Sequence, residues 1–255
     1  MGKNKLKKFA DMATFKCVYQ YPREELLRLG FPHAGKWNEN VFSTPSPIVL
    51  ELGCGRGEYT VGLAQNEQNR NFIGIDIKGA RMWTGARQVE EQGIANAAFL
   101  RCEIENIDRF FAPGEVEELW ITFPDPQMKK TRKRLTSTRF LELYRKIMRP
   151  GGVVNLKTDS PFLFEYTRRL VDLNGLEVLA ITDDLYGDTA SGELERLESA
   201  RAIKTYYEQQ WLARGKKIKL LSFRLPSAEE LPQLAEPSEE DIERDDYRAL
   251  PRPNF

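Results

Sequence analysis

The stretch Ile48-Val49-Leu50-Glu51-Leu52-Gly53-Cys54-Gly55-Arg56-Gly57 limits what this chain can fold into more than any other part of it. An apolar run ends in an acid and passes into alternating glycines. That order reads as a buried strand, a tight turn and a helix behind the turn, from about Glu58 to Gln65. Glycine lets the backbone take positive φ and lets a ligand approach the main chain closely. The first turn of the helix points its free N–H groups at such a ligand.

Motif spacing narrows the ligand. A nicotinamide-nucleotide turn, G-x-G-x-x-G, needs glycine at the sixth position from Gly53, where this chain has Glu58. A carboxylate on a helix N-terminus repels a pyrophosphate. The phosphate loop G-x-x-x-x-G-K-[ST] is absent from the sequence. What remains is E-x-G-x-G-x-G, a pattern similar to that of class I S-adenosylmethionine methyltransferases. That ligand has no phosphate, and its amino and sulfonium groups are positive, so nearby acids suit it. The alternative at this point is a glycine-rich turn in another α/β protein.

From Ile48 onward, strands and helices alternate. Strands are expected at Ile48 to Leu52, Asn71 to Asp76, Ala97 to Cys102, Glu117 to Phe123, Val153 to Thr158, Glu177 to Ile181 and Ile218 to Phe223. Helices are expected at about Gly79 to Gln92, Phe140 to Met148, Pro161 to Leu173 and Thr205 to Trp211. Such alternation predicts an α/β, Rossmann-like fold: a seven-stranded, mostly parallel sheet with helices on both faces. Three parts are expected: a basic N-terminal arm (1–46), the sheet domain (47–225) and an acidic, Pro-rich, flexible tail (226–255). The arm would pack through Phe15, Tyr19 and Tyr21, and its lysines would be solvated or touch nucleic acid. The single histidine, His33, reads as a surface residue. With it and three scattered cysteines, no metal site is expected. The unpaired cysteines, with no signal peptide or membrane-length run, suggest a cytoplasmic chain without a membrane. No obligatory protein partner is implied, so a monomer or homodimer is expected.

In open α/β sheets, ligands sit beyond the C-terminal strand ends. Here acids stand at those ends: Glu51, Asp76, Glu103, Asp125 and Asp159. Asp76 follows Gly57 at about the 20-residue spacing at which an acid meets a ribose hydroxyl; otherwise it caps the next helix. Glu103 would accept from an adenine amino group or be a solvated loop acid. Glu51, flanked by apolar residues, is costly unless bonded; it would hold the glycine-turn backbone or the amino end of the ligand. Phe123-Pro124-Asp125-Pro126 is a stiff turn that presents one acid. Behind it comes Lys129-Lys130-Thr131-Arg132-Lys133-Arg134, either a solvated face or a set of RNA phosphate contacts. Thr205-x-x-Glu208 reads as a capping box.

Taken together, L-E-L-G-C-G-R-G, G-I-D, F-P-D-P with the basic run, T-D at Thr158 and T-x-Y-E at Thr205 resemble the bacterial tRNA (guanine-N7-)-methyltransferases from about Ile48 to Phe223. The resemblance implies transfer of a methyl group from S-adenosyl-L-methionine to N7 of a guanine in tRNA. Glu51, Gly53, Gly55, Asp76, Glu103 and Asp125 would bind the cofactor, with Asp125 also catalytic. Lys129, Asp159, Thr205, Tyr206, Tyr207 and Glu208 would bind the substrate, and Lys130, Arg132, Lys133 and Arg134 its phosphates. The chain departs from the family's usual pattern at Gln127, where tryptophan is common, at Glu103, and in a shorter basic loop. The alternatives are an S-adenosylmethionine-dependent methyltransferase acting on another RNA or a small molecule and, in a different class, a non-catalytic tRNA-binding protein.

Overall fold

The computed structural model describes residues 3–187 and 191–238. Its strands are β1 (Val18–Gln20), β2 (Ile48–Leu52), β3 (Asn71–Ile75), β4 (Ala97–Arg101), β5 (Val116–Thr122), β6 (Met148–Thr158), β7 (Val178–Thr182), β8 (Ser191–Gly192) and β9 (Lys219–Leu225). They form one sheet in the order β1-β4-β3-β2-β5-β6-β9-β7-β8. The six strands from β1 to β6 are mutually parallel; β9 runs antiparallel between β6 and β7. All seven expected strands are present. The sheet has nine because β1 and β8 add an edge on each side, and both are too short to show a periodic pattern.

The helices are α1 (Lys3–Met12), α2 (Arg23–Leu29), α3 (Trp37–Asn40), α4 (Glu58–Asn66), α5 (Gly79–Gln92), α6 (Thr138–Arg145), α7 (Pro161–Leu173), α8 (Leu194–Ala202) and α9 (Tyr206–Ala213). The helix expected to run to Met148 stops at Arg145, and Met148 already pairs with Val116 in the sheet. Proline and glycine at 150 and 151 fall in a bulge of β6, not at a helix end. Among the described residues, no helix is long and apolar enough to cross a membrane.

Side chains alternate across a strand, so the sheet has two unlike faces. One is apolar across its centre: Leu50, Leu52, Ile73, Leu119, Ile121, Val154 and Leu156 pack under α6 and α7, with buried polar residues only at strand ends, such as Asn71 and Thr158. The other faces α4, α5 and α8, and here apolar positions such as Val49 and Trp120 interleave with buried polar ones. Glu51, Glu118, Thr122, Asn155 and Lys157 all lie on it, each less than a tenth exposed. A polar group in a core persists only where it is bonded, so this second face carries the chemistry.

The stretch before β2 is joined to the domain. Strand β1 extends the sheet beside β4, and Trp37 is fully buried, stacked on Phe111 at 5.3 Å between ring centroids. His33, expected at the surface, is half-buried against Tyr19 and Phe31 at 5.3 and 5.2 Å, and burial lowers its pKa.

Beyond β9 the chain folds back across α6 and α7. Leu234 is buried, and the Glu236 carboxylate accepts from Thr138 N–H (3.2 Å), Thr138 Oγ1 (2.6 Å) and the Tyr166 hydroxyl. Glu236 thereby caps α6 from outside. Replacing Glu236 by Ala removes that cap, worth about 1 kcal/mol. The melting temperature should fall by about 2–4 °C; no change in a calorimetric scan would show the contact to be idle. The rest of the expected tail, 239–255, lies outside the described residues.

Candidate active site

The C-terminal ends of β2, β3, β4, β5 and β6 share one rim because those strands are parallel neighbours. The glycine turn lies on it. Gly53, Gly55 and Gly57 take φ of 76°, 56° and 73°, a region that disfavours side chains. Gly57 has a second reason to lack one: a Cβ there would come within 2.6 Å of the Phe99 ring. Gly53 differs, being exposed, with open space where its Cβ would project. A ligand can therefore lie directly on the main chain at Gly53.

Two acids hold this turn in shape. Asp76 accepts from Gly55 N–H at 3.0 Å and from Lys78 N–H at 2.7 Å. It thus braces the turn from the end of β3 while staying partly exposed at the rim. Glu51 lies underneath, in the core. Its Oε2 accepts from Thr60 N–H (2.8 Å) and Thr60 Oγ1 (2.5 Å), and its Oε1 from Thr122 Oγ1 (2.7 Å). Burial pushes its pKa up to about 7, against the pull of these three donors. Glu51 therefore fastens α4 to β2 and β5; its protein partners are Thr60 and Thr122 and not the glycine-turn backbone itself. Glu103 is exposed at the end of β4, with Asn106 Nδ2 donating to it at 3.1 Å.

The turn after β5 is strained. Phe123 and Gln127 both take φ of 48°, the only non-glycine residues with positive φ among those described. Such conformations cost of order 1–3 kcal/mol each and cluster at functional sites. Between them Asp125 is exposed, its Oδ1 accepting from Gln127 N–H at 3.1 Å. At the end of β6, Asp159 is mostly buried, with Lys216 at 3.7 Å.

The basic run divides. Lys129, Lys130, Arg132 and Lys133 are at least partly exposed. Arg134 is not: it is fully buried, with its guanidinium 4.8 Å from the Phe162 ring and 4.4 Å from the Tyr166 ring, and it donates to Met128 O at 3.0 Å. The expectation that Arg134 contacts phosphate is corrected on this ground. It pins the loop to α7, and the four other cations project from the anchored loop.

Thr205 to Glu208 starts α9 with a complete capping box. Glu208 is fully buried and paired with Lys157, Nζ to Oε1 at 2.8 Å; the Tyr186 hydroxyl donates to the same oxygen at 2.6 Å. Its carboxylate is thus occupied inside the fold, and the exposed face of this element is Tyr206. The Tyr206 N–H donates to Glu58 Oε2 at 3.1 Å, and the Arg56 guanidinium lies 5.5 Å from the Tyr206 ring. The glycine turn and the Thr205–Glu208 element, far apart in sequence, are therefore in direct contact.

Sequence reasoning missed Lys157. It is wholly buried, and its ammonium donates to Ala200 O (2.7 Å), Ile203 O (2.9 Å) and Glu208. Burial lowers its pKa to about 8, while Glu208 opposes the shift. The signal was present: a lysine sits inside the otherwise uncharged run Val153-Val154-Asn155-Leu156-Lys157-Thr158, where an unpaired charge would be untenable.

A family model described as a putative methyltransferase matches residues 45–221. A tRNA (guanine-N(7)-)-methyltransferase of Porphyromonas gingivalis is 57% identical over 243 residues, covering 94% of this chain and 96% of that one. The enzyme of the same name from Bacteroides thetaiotaomicron is 53% identical and covers 99% of this chain and 96% of its own length. That from Bacillus subtilis is 32% identical, over 73% and 84%. Among solved structures, 16S rRNA methyltransferase KamB superposes with a TM-score of 0.53 at 15% identity, over 82% of this chain and 95% of that one, a likeness of fold. The match spans both halves of the rim, glycine turn and Thr205–Glu208 element alike, and the chain belongs to the tRNA (guanine-N(7)-)-methyltransferase family.

Proposed function

We propose that the protein transfers a methyl group from S-adenosyl-L-methionine to N7 of a guanine in tRNA, giving 7-methylguanosine. The observation that carries this reading is the bond between Tyr206 N–H and Glu58, which seats the expected substrate element on the helix of the glycine turn. When bound, S-adenosylmethionine supplies an electrophilic methyl on a cationic sulfur. Gly53 and Gly55 offer it bare main chain, Asp76 a carboxylate for the ribose, and Glu103 an acceptor for the adenine edge. Glu51 acts from below by fixing the start of α4.

Guanine N7 carries an exposed lone pair in its neutral form, so no general base is needed at that atom. The protein's task is alignment, which is worth several kcal/mol when the reacting atoms are held at near-attack distance. As the lone pair is donated, positive charge passes to the purine ring. Asp125, on its strained turn, is the carboxylate that meets that charge. Asp159 and the Thr205–Tyr207 face would hold the guanine, and Lys129 its phosphate neighbourhood. Such chemistry belongs where tRNA is found, in the cytoplasm; the three cysteines are free.

Incubation with tritiated S-adenosylmethionine and bulk tRNA, followed by nuclease digestion and mass spectrometry, should find the label in 7-methylguanosine. Label in another nucleoside, or none in tRNA, would overturn the assignment. The loop cations give a separate expectation. Neutralising Lys129, Lys130, Arg132 and Lys133 together should weaken tRNA binding. The log–log salt slope should flatten by about 0.7–0.9 for each phosphate that the variant no longer neutralises. Arg134→Met should instead lower the melting temperature. Equal salt slopes in filter-binding assays of wild type and the fourfold variant would mean that the loop only faces water.

A further inference from the structure

Lys157 bonds in two directions. Through its main chain it holds the strained turn: Phe123 N–H donates to Lys157 O at 2.8 Å, at the point where β5 ends and Phe123-Pro124-Asp125-Pro126 begins. Through its side chain it holds the junction between α8 and α9, accepted by Ala200 O, Ile203 O and Glu208. Sheet register puts it beside Thr122, whose hydroxyl donates to Glu51. The aromatic ring of Tyr59 on α4 lies 5.1 Å from the ammonium, and that of Phe123 6.0 Å. One residue is thus bonded to the Asp125 turn and to the Thr205–Glu208 element, and lies against the cofactor helix.

A role in stability alone would not need this placement. Helix α8 is clamped to the same sheet face by a second polar cluster, Arg196 with Glu118 (3.4 Å) and Asn155 (3.3 Å). Asn155 and Lys157 share a face of β6, two residues apart. The Arg196 clamp holds the start of α8. The Lys157 clamp holds its end, just where the chain turns towards Thr205. All three ammonium donors are used, and two of their acceptors are carbonyls at the end of α8, groups that lack helical partners and attract a cation.

We propose that Lys157 is a positioning residue for the methyl acceptor: it sets the separation between Asp125 and the Thr205–Tyr207 face, and so the place where the guanine is held. This rests on the tRNA reading of the site. The residue touches neither substrate nor cofactor. It acts through the backbone of Phe123 on one side and through Ile203 and Glu208 on the other. Ile203 is itself fitted against α4, where a Cβ on Gly62 would come within 2.9 Å of it.

The test compares Glu208→Gln with Glu208→Gln/Lys157→Met, so that the double variant carries no lone buried charge and the single one retains an ammonium that burial lets shed its proton. In the double variant, amide exchange at residues 203–208 should quicken by about tenfold or more relative to Glu208→Gln, as expected when a local opening loses one good bond. The tRNA kcat should fall by about 10²-fold, the scale on which a misplaced group is felt. Calorimetric affinity for S-adenosylmethionine should change less than about threefold, below the tenfold that 1.4 kcal/mol would give. Should the methionine variant not fold, Lys157→Gln on the same background is read by the same measurements. Faster exchange with an unchanged tRNA rate would overturn the proposal. So would a parallel loss of cofactor affinity and tRNA rate, which marks mere destabilisation. Failure of the tRNA reading shows separately, as an unlabelled tRNA with the wild-type protein, while the exchange comparison still reports whether Lys157 holds the segment.

Discussion

Asp125→Asn should lower the rate of tRNA methylation by about 10²–10³-fold, the loss typical when one preorganised electrostatic partner of a transition state is removed. Asparagine is the informative replacement. Its side-chain oxygen can still accept from Gln127 N–H, as Asp125 Oδ1 does at 3.1 Å, so the turn between Phe123 and Gln127 keeps its shape. Only the negative charge is lost. Asp125→Ala removes the turn bond as well and should lower the rate further. In both variants binding of S-adenosylmethionine should persist, because the glycine turn is held by Asp76 and Glu51. Single-turnover kinetics with saturating cofactor would separate the steps. A wild-type rate in Asp125→Asn would remove this carboxylate from the chemistry.

Glu51 should produce the largest effect on the fold. Alanine there leaves Thr60 N–H, Thr60 Oγ1 and Thr122 Oγ1 without their acceptor inside the core. Each abandoned buried donor costs about 1–3 kcal/mol, so Glu51→Ala should unfold at much lower urea and lose cofactor binding. Glu51→Gln should do the opposite at high pH. The carboxyl's pKa is raised from 4.5 to about 7 by burial. Between those values the folded protein holds a proton that the unfolded chain has released. Stability from this group is therefore full below pH 4.5, declines as pH rises to 7, and is lowest above it. The total is about 3 kcal/mol at roughly 1.36 kcal/mol per pKa unit. The glutamine variant lacks that decline. Urea midpoints of the two proteins should converge near pH 4.5 and separate by about pH 8, with Glu51→Gln the more stable. Parallel curves would show Glu51 to be ionised in the fold without cost.

The sheet was readable because its strands are short apolar runs punctuated by glycine, proline and acids. The rim acids were readable because each stands at or just beyond the end of such a run. Strands β1 and β8 were not readable, since their pairing depends on the neighbouring strand and not on their own pattern. Helix α8 was hidden for a related reason. It is mostly polar, it buries only Leu197 and Ala200, and Lys157 and Arg196 add polar ties to the sheet. Arg134 shows the reverse case. In the sequence it is one cation among several, and burial against the rings of Phe162 and Tyr166, with a bond to Met128 O, distinguishes it from Lys133. The misses at Lys157 and Arg134 have the same origin: a charge buried by tertiary contacts looks, residue by residue, like a charge in solvent.

The position of β9 bears on how the molecule is made. This strand, Lys219–Leu225, lies between β6 and β7, pairing with β6 from Gly152 to Thr158. During synthesis, which delivers N-terminal segments first, the glycine turn, the Asp125 turn and Lys157 are all produced while that flank of β6 still has no neighbour. An unpaired strand flank is a template for wrong partners. The nascent protein must therefore carry an open seam through its sheet until residue 225 has emerged, beside the strand that ends at the half of the rim proposed to hold the methyl acceptor.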